Sequence, residues 1–296
     1  MRKVHNFSFM PKVSVVIPCY NAEKFAETCL ETLLAQTLQD LEFIFVDDGS
    51  TDATAGILDG FKERDPRVRV IHQENKCLGG ARNTGIEAAQ GEYIGFLDVD
   101  DKLSPNYYEL LYDAARRHDA DIAWGSIKKY RKNKPPTYYY GPFTEERVVE
   151  DLQMIVNLKS NHVVSKIYRR TLFADKTLLF REGCFYEDIY FTLPIVFAAN
   201  KIVTVPGAEY HYIYVETSIA HRKRTPALRK SEFDGYVFRR DFIQKKGYSV
   251  PRHLRKIRKR QCMLGPLCLF KIRDCGDYDL ILLFDFIPLA RIPHKK

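Results

Sequence analysis

Between residues 12 and 125 the chain repeats one unit: an apolar run of strand length, a polar tip, then a segment with apolar residues three and four apart. The runs are Val13–Pro18 (VSVVIP), Glu42–Val46 (EFIFV), Val68–His72 (VRVIH), Tyr93–Leu97 (YIGFL) and Ile122–Ile127. The spacing predicts helices over Glu23–Gln36, Asp52–Arg64 (with Thr51 or Asp52 as N-cap) and Gly79–Gln90, and a further helix from Ser104-Pro105 to about His118. Unbroken apolar strands alternating with helices specify an α/β fold, a mainly parallel sheet with helices on both faces.

In such a sheet, ligands sit at the carboxyl ends of the strands. The first strand ends at Pro18-Cys19-Tyr20-Asn21, the second at Asp47-Asp48-Gly49-Ser50 and the fourth at Asp98-Val99-Asp100-Asp101. Three carboxylates within four residues repel one another unless a cation or hydrogen-bond donors offset them. Asp100 or its neighbours can take Mg²⁺ or Mn²⁺ through oxygen, leaving positions for water and a diphosphate. An Asp-rich turn capping the Pro105 helix is the structural alternative.

Several chemistries lose their sequence support. No G-x-G-x-x-G follows the first strand, and there is no P-loop, no G-x-S-x-G elbow and no H-E-x-x-H. No apolar run approaches the length that crosses a bilayer. The seven cysteines are odd in number and include no C-x-x-C pair, so a disulfide framework or cysteine zinc site is not expected. The N-terminal residues lack an apolar leader, and with the cysteines this gives a cytoplasmic expectation.

After Lys128 the alternation loosens. KKYRKNKPPTYYYGP (128–142) reads as a loop or excursion, Leu152–Ser160 and Lys166–Phe173 as helices, and Ile202–Val205 and Tyr210–Val215 as strands. The net charge is +8, yet Arg222–Arg260 holds 15 Lys/Arg against 3 Asp/Glu, so the rest is mildly acidic. RHLRKIRKRQCML (252–264) places Leu254, Ile257, Gln261 and Leu264 on one helical stripe with basic residues elsewhere. That pattern suits an anionic membrane surface or a solvated helix with a narrow core-facing stripe. Nucleic acid is not expected, because no zinc-finger, helix-turn-helix or RNP pattern accompanies the charge.

The segment VSVVIPCYNAEKFAETCLETLLAQTLQDLEFIFVDDGSTDAT, followed by ENKCLGGARNTGIEAAQGEYIGFLDVDD, resembles glycosyltransferase family 2 on a GT-A fold. The match covers about residues 11–105. A weaker likeness to bacterial enzymes that build lipopolysaccharide, capsule or other surface polysaccharides runs from about 160 to 220, through SKIYRR, YEDIYF and YHYIYVETSI. The resemblance implies residues 1–220 as the GT-A domain, with a nucleotide half at about 11–125 and an acceptor half at about 126–220. Residues 221–296 are then a basic, helical C-terminal region.

It also implies an inverting, metal-dependent transfer, of hexosyltransferase type, from a nucleotide-diphosphate sugar, usually UDP-linked, to a glycan or lipid-linked acceptor. By that match Asp48 accepts from the base, and Pro18 with the following Tyr20 and Asn21 flanks it. Asp98 accepts from the ribose, and Asp100 holds the metal. Arg82, in GGARN, reaches a phosphate or braces the aspartate tips. The family often has glycine at Cys77, where a loop needing positive φ would be strained.

An inverting transfer needs a base for the acceptor hydroxyl. The resemblance puts it at Glu187-Asp188, with Asp188 as base and Glu187 as fallback; a dipole-favoured charge at a helix start is the alternative. Lys166 meets an acceptor or phosphate, or is a surface lysine. His211 is a further metal ligand or a hydrogen-bonded core histidine. Tyr138, Tyr139 and Tyr140 are candidates to stack on sugar, or belong to a mobile loop. Two other functions compete: nucleotidyl transfer to a sugar phosphate, and an inactive sugar-nucleotide scaffold. Attachment of the basic region to the cytosolic face of a membrane would hold the enzyme beside a lipid-linked acceptor.

Overall fold

In the computed structural model, which describes residues 10–158, 162–215 and 225–255 and the backbone of four later strands, each predicted apolar run of the first half becomes a strand. The chain forms two compact units, residues 1–150 with 160–221, and 151–159 with 222–296.

In the first unit the elements run β1 (Val13–Cys19), α1 (Ala26–Leu34), β2 (Leu41–Asp48), α2 (Thr54–Arg64), β3 (Val68–Gln73), α3 (Cys77–Ala88), β4 (Tyr93–Phe96), β5 (Lys102–Leu103) and α4 (Tyr107–His118). There follow β6 (Ile122–Arg131), β7 (Lys134–Tyr140) and β8 (Arg147–Val148). After α5 (Gln153–Asn157), which belongs to the second unit, come β9 (Lys166–Arg169), α6 (Glu187–Ala198) and β10 (Ile202–Ile213). The sheet order is β3-β2-β1-β4-β9-β6-β10-β5, with β7 on β6 and β8 on β10. The pairs β1·β2, β2·β3, β1·β4 and β6·β10 are parallel, whereas β9 runs antiparallel to both β4 and β6.

β1 and β2 are buried along their whole length, as strands covered on both faces must be. α3 lies close on β1 at Gly85, where a Cβ would come within 2.2 Å of Val16 Cγ1. The close approach fixes the end of α3 that carries Arg82. Thr51 and Asp52 do not cap α2 from the N-cap position. Ala53 stands there, and Asp52 Oδ1 instead accepts from the Thr54 amide at 3.0 Å.

The later half departs from the sequence expectations. Residues 128–142 are no loop: β6 and β7 form a hairpin that turns at Asn133 (φ 59°). Pro135 and Pro136 are tolerated because β7 is an exposed strand paired only with β6. Lys166–Phe173 is β9 followed by a 3₁₀ turn, not a helix. A short apolar run inserted between two strands has no period that separates it from a helical turn. The two strands expected at 202–215 are one strand, β10, whose register shifts between Thr204 and Glu209. The helix expected at Leu152–Ser160 is only the five residues of α5, and Ser160 lies outside the described residues.

The second unit contains α5, α7 (Pro226–Lys245), α8 (Arg252–Arg255) and an antiparallel sheet of β11 (Gln261–Leu264), β12 (Leu267–Asp274), β13 (Tyr278–Leu283) and β14 (Ile287–Pro293). α7 starts as expected of a helix, with Thr225 Oγ1 accepting from the Leu228 amide and Pro226 at the first turn. The region is therefore not wholly helical. The stripe predicted over 252–264 is helical only at Arg252–Arg255, residues 256–260 lie outside the described residues, and Gln261–Leu264 is a strand. Alternation such as Leu267-Cys268-Leu269-Phe270-Lys271-Ile272 fits a strand as well as a helix, and pairing between neighbours decides. Part of the basic charge is used internally: Arg239 is buried, and its Nη2 donates to the carbonyls of Leu158 (2.6 Å) and Val156 (3.3 Å) at the end of α5.

Candidate active site

The tips of β1, β2 and β4 lie at one end of the sheet because these three strands are parallel neighbours. Asn21 adopts a left-handed backbone (φ 50°). Its Oδ1 accepts from the Thr51 amide at 2.8 Å, and its own amide donates to Ser50 Oγ at 3.0 Å. Asn21 thus ties the β1 tip to the β2 tip. Pro18 is buried and Tyr20 is exposed. Gly49 supplies the turn after Asp48 with φ 73°, a conformation open to glycine at no steric cost.

The two acids of the β2 tip differ. Asp47 is buried, which alone would raise its proton affinity. Hydrogen bonds from Ser50 and His72 outweigh that and hold it below the usual carboxylate range. Asp48 is also buried. Its Oδ1 accepts from Gln73 Nε2 (2.7 Å) and the Lys76 amide (2.8 Å), while Oδ2 receives no donor from the described residues. One oxygen is fixed by the protein and the other remains for a ligand donor.

The three acids after β4 also have different fates. Asp98 Oδ1 accepts from Arg82 Nη2 at 2.9 Å. Asp101 is buried and locked to β10, accepting from Tyr210 Oη (2.7 Å) and the Ile213 amide (2.8 Å). Asp100 accepts from no other described residue. Burial and the neighbouring Asp98 push its carboxyl up to about 6. Asp100 thus offers a carboxylate that no other described residue engages, and Mg²⁺ or Mn²⁺ commonly binds through one or two carboxylates with water and phosphate completing the shell. The residues therefore fit a divalent ion at Asp100, although among the described residues no group of three His, Cys, Asp or Glu side chains gathers around a metal position. His211 stands with other partners: its Nε2 is 3.4 Å from Glu209 Oε2 and its ring is edge-on to Tyr130 at 5.1 Å.

Arg82 brings the distant acid pair to this end. It is buried, donates from Nη1 to Glu187 Oε1 at 2.5 Å and from Nη2 to Asp98, and lies over the Phe180 ring at 5.3 Å. Burial disfavours its charge, but Asp98 and Glu187 outweigh that and it holds its proton more tightly than a free arginine. In this arrangement it braces the Asp98 tip against Glu187. Its Nε is a buried donor without a partner among the described residues.

α6 starts at Glu187 after Tyr186, which takes a left-handed backbone (φ 60°). Underneath, Phe191 stacks on Phe180 at 4.0 Å and meets Phe96 and Tyr168, so α6 is seated on β4 and β9 by aromatic packing. Asn83 adds a two-way clamp on Phe180, donating to its carbonyl and accepting from its amide, both at 2.9 Å. Asn83 stands inside the GGARN motif, yet its role was invisible because its partner is remote in sequence. Asp188 is raised to about 7, by burial first and then by Glu187, with Arg82 opposing. That poises it to gain or lose a proton near neutrality.

Lys166 is no surface lysine. It is buried, donates to the carbonyls of His162 (2.9 Å) and Val164 (3.4 Å), and lies 4.8 Å over the Trp124 ring. Burial lowers its ammonium to about 7, and the charge of Asp188 opposes the shift. Cys77 does take the positive φ (62°) at the head of α3.

A family model described as "Glycosyl transferase family 2" matches residues 14–175. The uncharacterized glycosyltransferase EpsJ of Bacillus subtilis is 37% identical over 227 residues, covering 74% of this chain and 66% of EpsJ. Glycosyltransferase GlyG of Streptococcus pneumoniae serotype 4 is 34% identical over 247 residues, covering 78% of this chain and 77% of GlyG. The crystal structure of S. aureus TarS residues 1–349 in complex with UDP-GlcNAc matches with a TM-score of 0.65 at 25% identity, covering 76% of this chain and 66% of that one. The chain spans slightly less than two thirds of the length of EpsJ and of the TarS structure.

Proposed function

The chain belongs to glycosyl transferase family 2 and has its GT-A fold, and from that premise we propose that it transfers a hexose, with inversion, from a UDP-sugar to a surface-glycan acceptor. The observation that carries this reading is the Arg82 bridge. It joins Asp98, at the strand tip beside Asp100, to Glu187, beside Asp188. A donor held at the tips would thereby be presented to a base at the start of α6.

In this reading the free Oδ2 of Asp48 accepts from the uracil N3–H, with Pro18, Tyr20 and Asn21 flanking the base. Asp98 stands where a ribose hydroxyl can donate to it. Asp100, with Asp98 beside it, would hold Mn²⁺ or Mg²⁺; bound there, the ion would neutralise charge on the departing diphosphate. Asp188 takes the proton of the attacking acceptor hydroxyl. Glu187, fixed by Arg82, sets where Asp188 stands and disfavours its proton loss until the acceptor arrives. Lys166 faces the acceptor side, and His211 keeps a structural place.

TarS supports UDP as the donor nucleotide, because its structure holds UDP-GlcNAc. The positive charge between Arg222 and Arg260 supports peripheral attachment to the cytosolic face of an anionic membrane, beside a lipid-linked acceptor. No helix of the described residues is long and apolar enough to cross a membrane. The test is calorimetric titration of UDP, GDP, CMP and dTDP with and without Mn²⁺, followed by turnover of UDP-sugars. UDP binding that needs the metal, with transfer lost in Asp188→Asn while binding stays, is the expected result. Binding without turnover for any donor and acceptor would favour an inactive scaffold.

A further inference from the structure

Two lysines of the first unit are buried without a carboxylate partner among the described residues. Lys129 on β6 and Lys166 on β9 are 6% and 4% exposed, and their short hydrogen bonds go to Tyr139 Oη and the His162 carbonyl, not to a carboxylate. Isolated buried ammonium groups are costly. Here aromatic faces offset part of that cost. Lys129 Nζ lies over the rings of Tyr139, Tyr212 and Tyr214 at 4.7, 4.9 and 5.6 Å and donates to Tyr139 Oη at 2.6 Å. Lys166 lies over Trp124 and Tyr140 at 4.8 and 5.6 Å.

The two cations belong to one patch. The His162 ring packs 5.0 Å from Tyr139 and its carbonyl accepts from Lys166; burial and both lysine charges hold the ring neutral, down to about 4. The patch adjoins the acids of the cleft. Tyr212 lies in the field of Asp98, Asp100 and Asp101, and Lys166 in that of Asp188. It is also open on one side, since Tyr139 and Tyr214 are 43% and 36% exposed. A face of tyrosines stacks against the C–H face of a sugar ring. Lys129 behind those rings, with no carboxylate in ion-pair distance among the described residues, and Lys166 beside it favour a ligand that brings a negative charge.

We propose that Lys129 and Lys166, with Tyr139, Tyr212 and Tyr214, form an acceptor subsite for an anionic sugar unit, one bearing a carboxylate or a phosphate. The rings hold the sugar and the lysines hold its charge, which places a hydroxyl of that unit toward Asp188. The proposal rests on reading the cleft as a glycosyl-transfer site.

The test compares charged and neutral twins by equilibrium titration of the full chain, with UDP and Mn²⁺ and again without them. The probes are methyl β-D-glucuronide against methyl β-D-glucoside, and glycerol 3-phosphate against glycerol. At least one charged probe is expected to bind about tenfold tighter than its twin, the size of one charge-assisted hydrogen bond. Lys129→Met, which keeps the packing under the tyrosines, should remove that preference, and Lys129→Arg should keep it. With the unaltered chain, added salt should shrink the preference as screening grows. Equal affinity for both twins in both pairs would overturn the proposal. So would a Lys129→Met chain that keeps the preference and loses UDP affinity, because the lysines would then serve the donor. Failure of UDP itself to bind would count against the donor site instead, and the titrations without UDP would still decide the subsite.

Discussion

Arg82 and Glu187, 105 residues apart in sequence, share a hydrogen bond of 2.5 Å inside the cleft. The same guanidinium holds Asp98 at 2.9 Å, so one buried cation sits between two carboxylates from opposite halves of the unit. Without it, Asp98 and Glu187 would lose the one described cation that hydrogen-bonds to both.

Arg82→Ala should therefore cost about 3–5 kcal/mol, the usual penalty for removing one partner of a buried ionic group. The measurement is urea unfolding of both chains. Arg82→Lys should recover little, because an ammonium lacks the planar fork that reaches both acids. A loss below about 1 kcal/mol, within the range of exposed ion pairs, would show that the bridge contributes little.

Asp188→Asn should lower transfer by about 10²–10⁴-fold, the range for loss of a general base. In the unaltered chain kcat/KM should fall about tenfold per pH unit below about 7, where Asp188 becomes protonated. Stability should move in the opposite sense. A carboxyl raised on folding stabilises the chain while it stays protonated, and that contribution is lost as pH rises from its unfolded value, near 4, through about 7. Asp188→Asn should thus melt higher than the parent at pH 8 and alike near pH 4. A pH-independent difference in melting temperature would refute the assignment.

The positions of the strand tips were legible because they sit at ends of apolar runs that sequence alone marks as strands, while the roles given to them came from the family resemblance. Asp48, Asp98 and Asp100 follow directly from β2 and β4. The later half was not, for a physical reason. β9 is four residues long and enters between β4 and β6 antiparallel to both, so no strand–helix alternation announces it. Lys129 reads as one charge among many in KKYRK, and its burial depends on rings from positions 139, 212 and 214. Arg82 was named, but its role needed the position of Glu187, which only the packing of α6 on Phe180 and Phe96 supplies.

Asp100→Ala should weaken UDP binding in the presence of Mn²⁺ and leave metal-free binding unchanged. The reason is that both oxygens of Asp101 are already held, by Tyr210 and the Ile213 amide, while Asp98 commits Oδ1 to Arg82 and keeps only Oδ2 for the ion. His211→Ala should leave the metal dependence intact, since its hydrogen-bond partner is Glu209. Titration of UDP at several Mn²⁺ concentrations reads both variants. Metal dependence lost in His211→Ala and kept in Asp100→Ala would reverse the assignment.

Cys77 gives a test of local strain away from the chemistry. Its φ of 62° lies in the left-handed region, which costs an L-residue roughly 1–2 kcal/mol. Glycine avoids that cost but loses about 0.5–1 kcal/mol more backbone entropy on folding. Cys77→Gly should therefore stabilise by up to about 1 kcal/mol. A β-branched residue meets the same strain with a stiffer side chain, so Cys77→Val should destabilise. Because Cys77 is exposed and its amide donates to Asn75 Oδ1 at 3.1 Å, neither change disturbs the core. Thermal melts of the two variants beside the parent give the order Gly, Cys, Val if the backbone is strained there; the reverse order would show that it is not.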